Sequence, residues 1–256
     1  MQKYFSFPAF IEGDNYLSLQ IYQANIFEAK NDYQLDLAET KLAIVLSKKL
    51  GKKLSVQFYV PLIYAWGGFM DRFIDNFHKT FNFPDGGRGL FAYDRIIYLV
   101  GEKEFLYGNT FTGTGEPEIF LSLKGKSTTV RFGTKIPLGK NGFRSFKPAI
   151  YGGTSYKAPF NHGFLKAEVG LVLISSPQEL KSWFAGLNIV LRFKKVELRY
   201  IFNTSPYKSG NMSHIANAVS LGFDLGKGFT AGFVEDLAPY DTSADFTLFL
   251  TKKINL

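Results

Sequence analysis

The chain has 256 residues, a net charge of +8 and no cysteine, with a pI near 9.4 and a mean hydropathy of −0.03. The missing thiols exclude disulfide frameworks, thiolate metal sites and cysteine nucleophiles. No run approaches the roughly 18 apolar residues of a membrane-crossing helix, which excludes a helical membrane protein but not a transmembrane barrel, whose strands alternate faces.

Residues 1–14 carry Pro8 and Gly13 and read as an irregular N-terminal arm. Met1 to Tyr4 opens onto no apolar signal segment, which leaves open both a cytosolic protein and a mature sequence without its leader. From residue 16 the period becomes two. Over 16–27, Leu17, Leu19 and Ile21 share one face and Ser18, Gln20 and Tyr22 the other. After a polar connection at 28–32, a strand to about residue 50 sets Leu42, Ile44 and Leu46 against Ala43, Val45 and Ser47. A Gly51-Lys52 turn then leads into 54–66, whose stripe runs Leu54, Val56, Phe58, Val60, Leu62, Tyr64, Trp66; this predicts a hairpin.

At 61–89 the period changes. Phe69, Phe73, Phe77 and Phe81 recur every fourth residue, with Met70 and Ile74 beside them, which is a helix stripe. Gly67 and Gly68 punctuate its start, and Pro84, Gly86 and Gly87 its end. The spacing predicts a short amphipathic helix over about 69–81. It lies in an insertion, 67–89, between the third and fourth strands, inside a barrel or across its mouth. Asp71, Asp75 and His78 share one face of it. Two carboxylates and a histidine can hold a metal or work as acid and base. Polar caps and an Asp75–Lys79 pair explain them more simply, so no catalytic residue, metal or cofactor is assigned.

Strands resume at 93–100, apolar on both faces apart from Asp94 and Arg95, and continue at 104–111. After a loop at 113–117 come 118–124 and 128–138. Residues 146–157 are rich in Gly and Tyr and ambiguous in phase. Clear alternation returns at 164–174, 183–193, 196–202, 215–225, 229–235 and 244–256. This makes about 14 strands, or about 12 if 93–111 is not a hairpin. No linker or repeat divides the chain, so 1–256 reads as one all-β domain. An array of this size must curl, and closure removes its edges.

The expected fold is a single up-and-down antiparallel transmembrane β-barrel. Its non-apolar faces carry Gly, Ala, Ser, Asn and Tyr with few charges, as a confined lumen does. Lysines gather at connections, at 48–53, 124–126, 194–195, 227 and 252–253, and also at Lys103 and Lys157; if strands alternate up and down they form a basic rim beside anionic headgroups. Charge in a ring rather than a patch argues against nucleic-acid binding. Aromatics near strand ends, Tyr64, Trp66, Trp183 and Tyr200 among them, match interfacial girdles.

Arg131, Lys135, Lys166, Glu168, Arg192, Glu197 and Arg199 fall on the polar faces, with His214 and Asp224, and are candidates for a lumen constriction that selects solutes. His214 with Ser213 or Ser220 offers a lipid-hydrolase alternative, but no Gly-x-Ser-x-Gly elbow accompanies them.

The segment from Gly67 to Phe81 contains Gly67, Gly68, Asp71, Ile74, His78 and Phe81 at GGxxDxxIxxxHxxF spacing, with Pro84 and Arg88 beyond. It resembles a family of uncharacterised Gram-negative outer-membrane β-barrel proteins. Thr114-Gly115-Glu116-Pro117 and Lys135-Ile136-Pro137-Leu138-Gly139 look like two further short signatures of that family. They are distantly similar to signatures of long-chain fatty-acid outer-membrane transporters, with Glu116 and Leu138 departing from the pattern. The resemblance implies a bacterial outer-membrane location.

Together these readings predict a narrow passive channel or transporter for hydrophobic or amphipathic small molecules such as fatty acids. The helix, with Phe69, Phe73, Phe77, Phe81, Asp71, Asp75 and His78, would plug or gate the lumen. Its apolar face would need a greasy wall opposite, and 93–100 is the candidate. The expected partners are the lipid bilayer, lipid or detergent molecules and a hydrophobic ligand, for a monomer that binds no nucleic acid. A structural or lipid-hydrolysing membrane barrel is the alternative, and a soluble all-β binding protein the third reading.

Overall fold

Leucine, isoleucine, valine and aromatic residues at every second position favour extended chain, and turn residues between them allow neighbours to pair antiparallel. The structure, a computed structural model, describes residues 15–30, 33–82, 96–100, 103–105, 111–138, 148–174, 182–204, 216–237 and 246–256. The 1–14 arm, Pro84, Arg88, residues 93–95, Ser213 and His214 lie outside the described residues.

The strands are β1 (Tyr16–Lys30), β2 (Tyr33–Lys49), β3 (Leu54–Trp66), β4 (Ile97–Val100), β5 (Lys103–Phe105), β6 (Phe111–Thr114), β7 (Glu118–Lys124) and β8 (Thr128–Lys135). They continue as β9 (Ala149–Phe160), β10 (Gly163–Ile174), β11 (Trp183–Phe193), β12 (Val196–Asn203), β13 (Ala216–Gly226), β14 (Phe229–Asp236) and β15 (Phe246–Asn255). The helix α1 (Asp71–Phe81) lies between β3 and β4.

Pairing runs from β1 through β2, β3 and β7 and then neighbour to neighbour to β15. β15 returns to β1 in unbroken register from Tyr16↔Asn255 to Asn25↔Phe246. The ring is therefore closed, with twelve strands among the described residues. The remaining segments are attached to it. β6 continues the path of β7 along β3. The β4–β5 hairpin pairs with β2 from Tyr33 to Asp36, beyond the stretch that β3 uses. The hairpin thus exists but adds no strand to the ring, and the lower strand count holds for the closed barrel.

The two faces of the wall settle what surrounds it. Leu19, Ile21, Leu42 and Ile44 are each 45% exposed, whereas their neighbours Ser18, Gln20, Ala43 and Val45 are at most 6% exposed. The same division continues on β10, where Leu165, Val169, Leu171 and Leu173 are exposed and Lys166, Glu168 and Val172 are buried. Apolar residues point outward and polar residues inward, the inverse of a water-soluble sheet. An apolar belt that circles the whole molecule far exceeds the few hundred Å² a soluble monomer tolerates. On β10 the stripe from Leu165 to Leu173 rises about 26 Å along the strand, or about 20 Å along the barrel axis at a tilt near 40°. A transmembrane barrel carries an apolar band about 25 Å tall, and the stripe covers most of that height. No described helix is long and apolar enough to cross a membrane.

The tight connections at 50–53, 125–127, 161–162, 194–195 and 227–228 all fall on one rim. The lysine ring is found there. Lys157, Lys194 and Lys252 lie over the rings of Phe164, Phe193 and Phe229, at 3.8, 5.4 and 4.1 Å from the centroids. Lys103, counted with this ring from the sequence, begins β5 at the opposite end.

Candidate functional site

The interior is built from the inward-facing residues of successive strands, and it is divided along its length. Near the tight-turn rim, Ser47, Ser55, Gln57, Ser122, Ser155, Arg131, Lys157 and Lys166 surround a cavity of about 190 Å³. Arg131 Nε donates to Ser122 Oγ at 3.2 Å, and the guanidinium stacks 5.5 Å from the Phe120 centroid. Lys166 Nζ is 3.6 Å from Glu168 Oε2, with both side chains less than a tenth exposed. One acidic side chain therefore faces several cations there, and the cavity is cationic.

Beyond Phe120 one part of the inner wall becomes apolar. Phe120, Ala149, Tyr151, Val172, Ile174 and Phe184 form one buried cluster on the β7–β11 side of the wall. Gly133 admits the Phe120 ring, since a Cβ there would collide with it. At the edge of this cluster the Tyr151 hydroxyl donates to Glu118 Oε1 at 3.4 Å. The side chains of 97–100, expected to supply a greasy wall, lie outside the described residues; a smaller described apolar cluster, Ile63 and Ala65 with Leu37 against them, lies on β2 and β3.

Lys135 belongs to a different level. Its Nζ is 3.1 Å from Glu116 Oε2, and the two side chains are 3% and 1% exposed. The geometry follows from two prolines. Pro117 follows Glu116 and interrupts the strand between β6 and β7, and Gly115 N donates across to Pro61 O at 3.0 Å. A Cβ at Gly115 would approach Pro61 Cγ to 2.7 Å, so this crossing requires glycine. Ile136 N donates to Pro117 O at 2.8 Å. The described residues of the two short signatures, 114–117 and 135–138, therefore meet in space, joined by this backbone bond and the Lys135–Glu116 ion pair.

The seven constriction candidates fall into groups by their contacts, with Arg199 also acting electrostatically on Glu168. Arg131, Lys166 and Glu168 come together at the cationic cavity, and Lys135 lies toward the opposite end. Arg192 Nη2 pairs with Asp224 Oδ2 at 2.8 Å and Arg199 Nη2 with Glu197 Oε1 at 2.7 Å, on the inward face of β11 to β13. Sequence reasoning missed Glu116 as the partner of Lys135, because a residue in a loop has no alternation to show which way it faces. It also missed the apolar cluster, because Gly152 and Gly153 blur the phase of β9.

The helix is where expectation and structure part. Period and boundaries agree: α1 covers Asp71–Phe81 and ends on Asn82, whose φ of 56° is a left-handed C-cap. Asp71 in its first turn and Lys79 in its last suit the helix dipole. Its position does not agree. Asn25 Nδ2 donates to Asp71 Oδ1 at 2.8 Å. Met70 and Ile74 pack with Phe246 and Phe233. Phe73 and Phe77 lie 5.8 and 6.1 Å from Phe246, and His78 Nε2 is 3.6 Å from Glu235 Oε1. Asn25, Phe233, Glu235 and Phe246 all occupy outward-facing positions, in register with Leu248, Leu250 and Ile21. The described contacts of α1 are therefore with the outside of the wall, not with the lumen.

The reason is the helix's polarity. Asp71 and Asp75 are 1% and 3% exposed, while Phe69, Phe73 and Phe81 are 64%, 53% and 60% exposed. The polar stripe, with Ile74, faces the barrel, and the aromatic stripe faces away. Phe77 sits between, stacked over Phe73 at 6.4 Å. Asp71, Asp75 and His78 each engage a different partner, Asn25, Lys79 and Glu235. Among the described residues no cluster of His, Asp and Glu is arranged to hold a metal.

Comparison with known proteins bears on this architecture. The model of a family described as Protein of unknown function (DUF3187) matches residues 9–115, a range that includes α1 and its Gly67-Gly68 approach. No curated protein matches the chain. The crystal structure of the COG4313 outer membrane channel from Pseudomonas putida F1 superposes with a TM-score of 0.56 at 12% identity, covering 95% of this chain and 96% of that one. The two chains share a fold. The toluene transporter TbuX of Ralstonia pickettii is a more distant likeness, with a TM-score of 0.47 at 10% identity over 96% of this chain and 90% of that one.

Proposed function

We propose that the protein is a passive outer-membrane channel for small amphipathic solutes with an anionic head, fatty-acid-like carboxylates being the model substrate. The observation that carries this reading is the two-part interior. A serine-lined cationic cavity, with Arg131 and Lys166, adjoins an apolar cluster built on Phe120, Tyr151 and Phe184. A carboxylate head suits the first and a short alkyl chain the second. A wholly apolar solute would leave the buried cations facing hydrocarbon. The short turns and the lysine ring fit the periplasmic rim, and the longer connections and α1 the extracellular one. In this proposal the contacts of α1 give it no part in gating.

The test is reconstitution. Planar bilayers containing the protein should carry steady current with a preference for anions. Proteoliposomes should admit short-chain carboxylates faster than neutral sugars of equal size. A barrel that carries no current and admits neither solute refutes the channel. A specific observation favours that second reading, a non-transporting structural barrel: Arg131, Lys135, Lys166 and Glu168 are all below 8% exposed, as expected of a filled lumen.

A further inference from the structure

The exposed arc of α1 is itself divided. At about 100° per residue, Phe69, Phe73, Phe77 and Phe81 advance along one flank, and Arg72, Asn76 and Lys79 occupy the other. Beneath the helix the outer wall changes composition. Leu19, Ile21, Leu42 and Ile44 give way to Gln23, Asn25, Ala38 and Thr40. Trp66 Nε1 donates to Thr40 Oγ1 at 3.2 Å, and Thr40 Oγ1 donates to Gln23 Oε1 at 2.5 Å. On β1 and β2 the apolar belt ends where the helix begins. From Lys49 at the tight-turn rim to Ala38 the wall rises about 28 Å at 3.3 Å per residue and a tilt near 40°, a little more than the apolar band of about 25 Å that an outer-membrane barrel carries. Trp66 stacks 5.8 Å from Phe69, joining the helix to the aromatic girdle of the wall.

We propose that α1 is an interfacial lipid-binding helix on the outside of the barrel. Its phenylalanine flank enters the upper acyl region, and Arg72 and Lys79 stand at the level of anionic headgroups in the same leaflet. The helix continues the lipid-facing surface instead of closing the pore. Amphipathic helices with aromatic and cationic flanks lie in this way in the plane of a membrane, and basic residues at that depth are drawn to anionic lipid. The inference rests on the barrel spanning a membrane.

The chain has no cysteine, so single nitroxide labels can be placed without background. The full-length protein carrying Phe73→Cys, Phe81→Cys, Asn76→Cys or, on the mid-wall, Val169→Cys is reconstituted in phosphatidylcholine vesicles with and without phosphatidylglycerol. Collisions with lipid-soluble oxygen and a water-soluble nickel chelate are compared. Labels at 73 and 81 should favour oxygen, as at 169, and the label at 76 should favour nickel. Arg72→Glu with Lys79→Glu should reduce oxygen contact at 73 in the anionic vesicles and leave it unchanged in the zwitterionic ones. Nickel contact dominating at 73 and 81 while 169 remains lipid-facing overturns the inference and spares the barrel. Nickel contact at 169 as well overturns both. Protection from both probes with spin–spin broadening means a second copy covers the helix, which also overturns it. Equal effects of the charge reversal in both vesicles overturn the headgroup assignment.

Discussion

Removing the carboxylate of Glu116 tests how the lumen wall is held together. Glu116 and Lys135 lie 3.1 Å apart and are almost wholly buried. At that distance and an effective dielectric near 20, their attraction is about 5 kcal/mol. Desolvation of the two ions offsets most of it, so the intact pair is near neutral for stability. Breaking the pair is another matter, because it strands one buried charge at a cost of about 3–5 kcal/mol. Glu118 also interacts electrostatically with Lys135, which places Glu116→Gln at the lower end. The assay is denaturant unfolding of the reconstituted barrel, followed by the fluorescence of Trp66 and Trp183. Glu116→Gln and Lys135→Met should each lower the unfolding free energy by about 3 kcal/mol, and the double variant Glu116→Leu/Lys135→Met should recover most of that loss. A loss below about 1 kcal/mol in both singles, or a double variant as unstable as the two losses combined, would refute the reasoning.

Three further outcomes are expected. Gly68 has a φ of +84°, and a Cβ there would lie 2.6 Å from Ala38 Cβ, so Gly68→Ala should destabilise by about 1–3 kcal/mol; Ala38→Gly in the same background should relieve the contact but not the backbone strain. Phe120 is 1% exposed within the apolar cluster, and Phe120→Ala should cost about 3–5 kcal/mol, read as a lower Tm; an unchanged Tm would mean the cluster is not packed. Arg131→Ala and Lys166→Ala, singly and together, should move the reversal potential in a salt gradient away from anion preference, and no movement would remove the cationic cavity from the conduction path.

The strands were legible wherever side chains alternate strictly. β3 begins and ends at the residues its Leu54-to-Trp66 stripe marks. Where alternation fails, the reading failed with it. Residues 28–32 look like a polar connection, yet the β1–β2 pairing continues to Lys30↔Tyr33, because pairing partners, not side chains, sustain a strand beyond the belt. Gly152 and Gly153 have no side chain to reveal a face. The helix is the instructive case. Its period was plain, and its position was not. A stripe of phenylalanine implies a buried face only if the surroundings are water. On the lipid-facing reading proposed for α1 the surroundings are the apolar phase, and the acidic stripe finds its hydrogen bonds and ion pairs against the wall.

The seam between β1 and β15 brings together the two ends of the described chain. Every other neighbouring pair in the ring is closer in sequence, so hairpins can form as soon as both strands exist. The last contact to form has the longest loop to close, and loop closure is what slows folding. Until that contact forms, β1 and β15 each present an open edge of unpaired amides and carbonyls. Such edges cannot be left in hydrocarbon. If the barrel spans a membrane, closing this seam and burying it in hydrocarbon are therefore coupled.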